Sequence, residues 1–285
     1  MDQKIAFQGE HYAFSEMAAQ KFLGKNVTCI PTPSFEEVFQ AVRAGKVPLG
    51  IIPIENTLYG SIHRNFDLLL ENDITIVGEV NLRIGLFLIA LPNVQLSQIK
   101  TIYSHPAALE QCRNFLTQYP QIEAVPTYDT AGSVKLIIEQ KLPTTAAIAS
   151  KWAAEENGMD ILCNEIEDFR ENFTRFLIIS KNKVNFGLPD KTSIVFSTPN
   201  IPGALFKSIS VFFLRDINLL KIESRPIKGK PWEYLFYLDF YGVMSENRCI
   251  NAIRHLEEIA EFIKILGSYP SAKVVENNGK ENSRL

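Results

Sequence analysis

The sequence has 285 residues, 46% of them hydrophobic and 21% charged. This is a length of about two domains, with an ordinary globular composition that excludes a disordered, collagen-like or disulfide-scaffold protein. The formal net charge of −3, from 29 basic and 32 acidic residues, leaves no electrostatic footprint for nucleic acid or an anionic membrane, so the expected partner is a small molecule.

Ile5 to Phe7 predicts a short strand, and after a polar turn Phe14, Met17, Ala18 and Phe22 recur at helical spacing. Ser34 followed by Glu37 is a capping-box signature, and Phe35, Val38, Phe39 and Val42 continue it as a helical stripe. Leu49 to Ile54 is a continuous apolar run suited to a buried parallel strand. Val80, Leu82, Ile84, Leu86 and Leu88 alternate, predicting one strand with two different faces. Thr101 to Ser104 is a short strand. Pro106 stands at a helix N1 position, with Leu109, Cys112, Phe115 and Leu116 on one face of the helix that follows. Asp129-Thr130 opens a helix carrying Val134, Ile137 and Ile138, and Thr145 to Ala149 and Phe176 to Ile179 are strands. Alternating strands and helices predict an α/β region with mostly parallel sheets.

Lys181 to Asp190, with Asn182, Asn185, Gly187 and Pro189, reads as a linker. Beyond it come a strand at Ser193 to Thr198, a helical stripe of Leu205, Ile209, Phe212 and Phe213, and strands at Leu219 to Ile227 and Trp232 to Tyr241. A second helical stripe runs through Ile250, Ile253, Leu256, Ile259 and Ile263, and Phe262 to Leu266 begins the last strand. The order βαββαβ is ferredoxin-like. The expected division is a larger domain over 1–182, a smaller one over 191–271 and a polar, disordered tail over 272–285.

Several strands of the first region end in a polar segment that opens a helix. Gln8, Gly9 and Ser15 follow the first; Glu55, Asn56, Thr57, Gly60 and Ser61 follow Ile54; Ser104 and His105 follow Tyr103; Thr130 and Ser150 hold similar positions. Ligands of open α/β sheets bind at the carboxyl ends of strands, where helix N-termini suit carboxylates or phosphates. One such junction is an ordinary cap; five in one domain predict an anion-binding cleft. Asn172-Phe173-Thr174-Arg175-Phe176 places a hydroxyl beside a guanidinium at the mouth of a strand, although a surface Arg beside a strand-forming Thr gives the same pattern. His105 has a capping role open to it as well as a functional one. There is no GxGxxG and no GxxxxGK[ST], and His11, His63, His105 and His255 lack metal-ligand spacing, so no nucleotide cofactor and no metal is expected. The longest apolar stretch, around Ile84 to Leu91, is far short of a membrane span. Cys29, Cys112, Cys163 and Cys249 form no CxxC pair, and the N-terminus has no signal-peptide pattern, so the expected location is the cytoplasm.

These motifs together resemble the prephenate dehydratase family in its monofunctional form, with arogenate dehydratase as a near relative. The resemblance rests on Phe7-Gln8-Gly9, Ala13-Phe14-Ser15-Glu16, Pro53-Ile54-Glu55-Asn56, Ser104-His105-Pro106, Asp129-Thr130-Ala131-Gly132-Ser133 and the segment around Thr174. Gly203-Ala204-Leu205-Phe206 and Glu223-Ser224-Arg225-Pro226 extend it through the second domain. Thr57 stands where the family usually has serine, Ala107 where it has glutamine, and Tyr12 where it has glycine. The resemblance implies a two-lobed, periplasmic-binding-protein-like α/β catalytic domain followed by a ferredoxin-like ACT regulatory domain. It implies a cytoplasmic carbon–oxygen lyase of phenylalanine biosynthesis that converts prephenate to phenylpyruvate without a cofactor. It assigns Thr174, Arg175, Glu55, Asn56 and Thr57 to catalysis. Gln8, Gly9, Ser15, Gly60, Ser61, Ser104, His105, Asn172 and Phe176 would bind substrate. L-Phenylalanine would act as allosteric effector at Gly203, Ala204, Leu205, Phe206, Asn218, Glu223, Ser224 and Arg225. A homodimer or homotetramer assembled through the ACT domains is implied. Arogenate dehydratase and a non-catalytic amino-acid sensor are the alternatives.

Overall fold

A computed structural model describes residues 3–272. The tail expected over 272–285 therefore lies, past Ala272, outside the described residues. The first strands and helices are β1 (Lys4–Gln8), α1 (Phe14–Leu23), β2 (Thr28–Thr32), α2 (Phe35–Arg43), β3 (Leu49–Asn56), β4 (Gly60–Ser61), α3 (His63–Glu71), β5 (Thr75–Arg83) and β6 (Phe87–Ala90). Then come β7 (Thr101–Ser104), α4 (Pro106–Gln111), α5 (Arg113–Thr117), β8 (Glu123–Pro126), α6 (Thr130–Gln140), β9 (Thr145–Ala149), α7 (Lys151–Glu156), β10 (Asp160–Cys163) and β11 (Phe173–Ser180). The last are β12 (Lys191–Ser197), α8 (Ala204–Phe213), β13 (Leu219–Pro226), β14 (Tyr234–Tyr241), α9 (Asn247–Ile259) and β15 (Phe262–Tyr269).

Three sheets result. The first has the order β2-β1-β3-β11-β5 with β4 hairpinned onto β3, and the second the order β10-β6-β9-β7-β8. In the second, β7 is parallel to β8 and β9, whereas β6 is antiparallel to both β9 and β10, so the sheet is mixed rather than mostly parallel. β2, β8 and β10 escape sequence reading. Each is an edge strand of four or five residues, and β2 and β8 carry Pro31 and Pro126, which edges tolerate.

The single strand expected through Val80 to Leu88 is two strands in two different sheets. The apolar alternation runs unbroken through the crossover because Ile84 and Leu86 are themselves buried there. A second crossover, between β10 and β11, lies against the first. Ile84 N donates to Asn172 O at 2.8 Å and Ile166 N to Leu86 O at 2.8 Å. Arg83 reaches Glu165 at 2.9 Å and Glu167 at 2.8 Å, and Glu167 also accepts from Leu86 N at 2.8 Å. The helix expected to run from Pro106 past Leu116 breaks at Cys112. There Asp168 N takes the Gln111 carbonyl at 2.7 Å, and Asp168 Oδ1 accepts from Asn114 N at 3.0 Å. A bond from the crossover replaces the next helical one.

The third sheet is antiparallel, in the order β13-β14-β12-β15. Numbered within the βαββαβ unit this is 2-3-1-4, the ferredoxin-like arrangement seen in ACT-like domains. Its core gathers Ile194, Phe196, Val211, Phe212, Leu238, Phe240 and Leu256. Ile263, expected in the second helical stripe, lies in β15 instead. By compactness the described residues divide into one unit of 3–41, 50–62 and 81–176 and another of 42–49, 63–80 and 177–272. The division runs through α2, β3, β5 and β11.

Candidate active site

In the first compact unit the two α/β lobes enclose a cavity of ≈ 630 Å³, within the size range of small-molecule sites. One side of its wall is built from Gln8 at the end of β1, Ala13 to Ser15 at the start of α1, Pro33 to Glu36 at the start of α2, and Pro53 and Asn56 of β3. Thr174 and Phe176 of β11, Tyr59, Ile62, and the crossover residues Ile84 and Leu86 continue it. The second lobe contributes His105 to Ala108, Gln111, and Tyr128 to Thr130. Four helices thus begin at this wall. Ser34 Oγ caps α2 through Glu37 N at 3.3 Å, His105 Nδ1 caps α4 through Ala107 N at 3.2 Å, and Asp129 Oδ1 caps α6 through Gly132 N at 2.8 Å. α1 starts at Ala13 with no side-chain cap, so its leading amides suit an anion.

Thr174 is buried at the centre of an amide chain. Asn56 Nδ2 donates to Thr174 Oγ1 at 3.0 Å and to Asn172 Oδ1 at 2.8 Å, with the Phe173 carbonyl also in range at 3.2 Å. Asn56 Oδ1 accepts from Leu58 N and Tyr59 N, each at 2.9 Å, which fixes the orientation of the amide. Asn172 Nδ2 in turn donates to Gln111 Oε1 at 2.9 Å. Because Thr174 Oγ1 is an acceptor from Asn56, its own proton can be donated elsewhere.

Of the residues expected to act here, Gln8, Ser15, Asn56, His105, Thr174 and Phe176 meet in this wall, and Asn172 stands directly behind it. Arg175 and Glu55 are not brought to the wall. Successive residues of a strand face opposite ways, so Thr174 and Phe176 share the cavity face while Arg175 takes the other, with Nη1 3.9 Å from Glu55 Oε2. Thr57 ties β3 to β11: its Oγ1 donates to Glu171 O at 2.8 Å and accepts from Phe173 N at 2.9 Å. Gly60 and Ser61 form β4, paired with Asn56 and Glu55. Ser104 Oγ donates to Ile148 O at 2.6 Å inside the second sheet. Ser150 caps α7 and donates to Tyr12 O at 3.2 Å. Gly9 has a φ of 117°, and a Cβ on it would come 2.9 Å from Asp129 Oδ2. Tyr12, standing in place of a usual glycine, has a φ of 71°.

Sequence reasoning did not single out Gln111, Glu36, Tyr59 or Tyr128, and placed Asp129 at a helix start and in a family motif without giving it a role in the site. The available signal was position, since Asp129 directly precedes the junction residue Thr130. Burial lowers the His105 pKa below its usual value, partly opposed by the Asp129 charge. Burial raises that of Asp129, opposed by the Gly132 and Ala131 N–H groups and by His105. Tyr128 is pushed up to about 12 by burial and by Glu10. Among the described residues no three His, Cys, Asp or Glu side chains converge as a metal-holding group.

The expected effector segments lie in the ferredoxin-like domain. Gly203 caps α8 with a φ of 78°, and a Cβ on it would meet nothing within 4 Å. The left-handed backbone, and not a close neighbour, is what calls for glycine there. Asn218 O accepts from Tyr241 N at 3.0 Å. On β13, Arg225 binds Asp67 of α3 at 3.0 and 3.1 Å, Glu223 lies 3.8 Å from His63, and Ser224 between them is exposed.

Two α/β lobes around a largely apolar cavity with a few polar groups at strand ends, followed by a ferredoxin-like domain, define the class of a small-molecule-binding protein with an appended ACT-like domain. The chain matches the prephenate dehydratase family over residues 5–184. It is 44% identical to arogenate dehydratase/prephenate dehydratase 2 of Arabidopsis thaliana, over 94% of this chain and 72% of that protein. The structure of prephenate dehydratase from Arthrobacter aurescens in complex with L-Phe aligns with a TM-score of 0.85 at 31% identity, covering 98% of this chain and 92% of that one. A structure described as GqqA, a quorum quenching acylase, aligns with a TM-score of 0.84 at 32% identity, covering 94% and 98%. The chain belongs to the prephenate dehydratase family.

Proposed function

We propose that this chain removes carbon dioxide and the ring hydroxyl from prephenate, or from its amino counterpart arogenate, and so acts as a carbon–oxygen lyase in phenylalanine biosynthesis. The bond to the ring carboxylate breaks, its electrons enter the ring, and the C–O bond at the opposite ring carbon breaks as the ring becomes aromatic. The protein must orient the substrate and polarise the departing hydroxyl. The observation that carries this reading is the Thr174 hydroxyl, which accepts from Asn56 at 3.0 Å and keeps its proton for a donor role in the cavity. Threonine is too weak an acid to release that proton outright, so it acts through the hydrogen bond. The helix N-termini at the wall take the carboxylates.

Removing one aligned donor costs about a hundredfold to a thousandfold in rate. Thr174→Ala is therefore expected to lose turnover on that scale while melting within a few degrees of the parent, and Thr174→Ser to keep most of it. Phenylpyruvate from prephenate and phenylalanine from arogenate are the products to measure. Near-normal turnover in Thr174→Ala would overturn the assignment, and no product from either substrate would favour a sensor without catalysis.

For regulation, the L-Phe bound by the Arthrobacter aurescens relative supports an amino-acid effector at the ferredoxin-like domain, near Gly203 to Phe206 and Glu223 to Arg225. Calorimetric titration with phenylalanine tests it: neither heat nor a change in activity would count against it. β13 is an edge strand with Leu220 and Ile222 exposed, and such edges are commonly covered by pairing. This supports a homodimer or homotetramer formed through these domains over 191–271, with catalysis assigned to 1–182. Four unpaired cysteines support a reducing compartment such as the cytoplasm.

A further inference from the structure

The charges on the cavity wall do not suit a dianion. Among the described residues no Lys or Arg lines the cavity, while two carboxylates, Glu36 and Asp129, do. His105, the remaining candidate cation, is held toward its neutral form by burial. Prephenate brings two carboxylates and a ketone. Arogenate brings the same carboxylates and an ammonium, so it carries its own counter-ion to the wall.

The placement of the two acids separates their roles. On the substrate ring the hydroxyl and the side chain are para, so a hydroxyl held at Thr174 on β11 sends the side chain toward the other lobe. Glu36 opens α2, which belongs with the lobe that carries Thr174; Asp129 opens α6 after β8, in the facing lobe. Asp129 is also pre-oriented. Oδ1 is fixed by Gly132 N at 2.8 Å, and Oδ2 occupies the space that a side chain at residue 9 would fill, 2.9 Å from that Cβ position. A carboxylate held this way presents a fixed oxygen to a donor instead of rotating to find one.

We infer that Asp129 is a specificity-determining residue that binds the substrate's side-chain ammonium and makes arogenate the preferred substrate. The inference rests on the dehydratase reading above and adds the substrate class to it.

The test is kcat/KM on arogenate and prephenate, measured side by side for the parent, Asp129→Asn and Glu36→Gln. Asp129→Asn keeps an oxygen for the α6 cap, so its fold is expected to survive, with thermal melts as the check. The parent is expected to favour arogenate by at least about tenfold. Losing one partner of a desolvated charge pair costs about thirtyfold to several thousandfold. Asp129→Asn is therefore expected to lose about that much on arogenate, and to hold or improve on prephenate. Glu36→Gln should leave the preference in place. Equal losses on both substrates would reduce Asp129 to a helix cap, and an unchanged ratio or a parent that favours prephenate would equally overturn the inference. A parent inactive on both substrates would overturn the dehydratase reading itself, and this inference with it.

Discussion

Thr174 and Arg175 are neighbours in sequence and opposites in space. The motif they form was legible in the sequence, but the reading that put hydroxyl and guanidinium in one site does not match the strand geometry. Adjacent strand residues diverge, and Arg175 meets Glu55 away from the cavity wall. Asp129 was hidden for a different reason, because a capping aspartate looks the same in sequence whether or not its second oxygen meets a ligand. Its neighbour His105 offers a direct physical check. Burial lowers the folded-state pKa of His105 below the usual 6.5. Above that value the ring is neutral in both folded and unfolded chains. As the pH falls below 6.5 the unfolded chain binds a proton that the folded one resists, so stability declines until the pH passes the folded value. The nuclear magnetic resonance titration of His105 is expected to have its midpoint below 6.5. Asp129→Asn removes a charge that raises it and should lower the midpoint further; a rise in that variant would contradict the electrostatic account.

At the scale of elements, interior features were readable and connections were not. β1, β3, β9 and β11 announce themselves through unbroken or alternating apolar runs because both faces are covered. The crossover between β5 and β6 did not, because Ile84 and Leu86 are as buried as the strand residues around them. What distinguishes the crossover is polar. Arg83 Nη2 meets Glu167, whose side chain is 0% exposed, at 2.8 Å, and the same carboxylate accepts from Leu86 N. Breaking such a pair leaves a buried charge without its cation, at a cost of about 3–5 kcal/mol in a full interior. Arg83 is 36% exposed, so water recovers part of this, and Arg83→Ala is expected to cost about 2 kcal/mol. Urea unfolding measures the difference. A change below about 0.5 kcal/mol would show that the crossover gains nothing from this pair, as for an ordinary surface bridge.

For the molecule as a whole, the linear division suggested by the linker at 181–190 and the division by compactness are different statements. The second unit takes α3 and much of β5 from the first half of the sequence. Within that unit the contacts are specific. Lys191 Nζ binds Glu79 at 2.9 Å with both side chains buried, and Ala272 N donates to the same carboxylate at 2.8 Å. Lys264 Nζ donates to the Leu69, Leu70 and Asn72 carbonyls at the end of α3, at 3.0, 3.2 and 2.7 Å, the position where a cation best complements a helix. Tyr237 Oη donates to Phe66 O at 2.9 Å, and a Cβ at Gly267 would come 2.2 Å from Ile76 O, so only glycine permits that approach. None of this is legible in sequence, since each partner lies more than a hundred residues from the other. The consequence is that α3 and β5 depend for stability on residues beyond the linker. Lys191→Met leaves Glu79 buried without its ammonium and is expected to cost about 3 kcal/mol by urea unfolding. A chain ending at residue 182 removes that ammonium, the Lys264 cap and the Tyr237 bond together. It is expected to lose a single cooperative transition and to expose apolar surface to a fluorescent dye. A truncated chain that melts cooperatively at the parent's midpoint would show instead that α3 and β5 are stable without the ferredoxin-like domain.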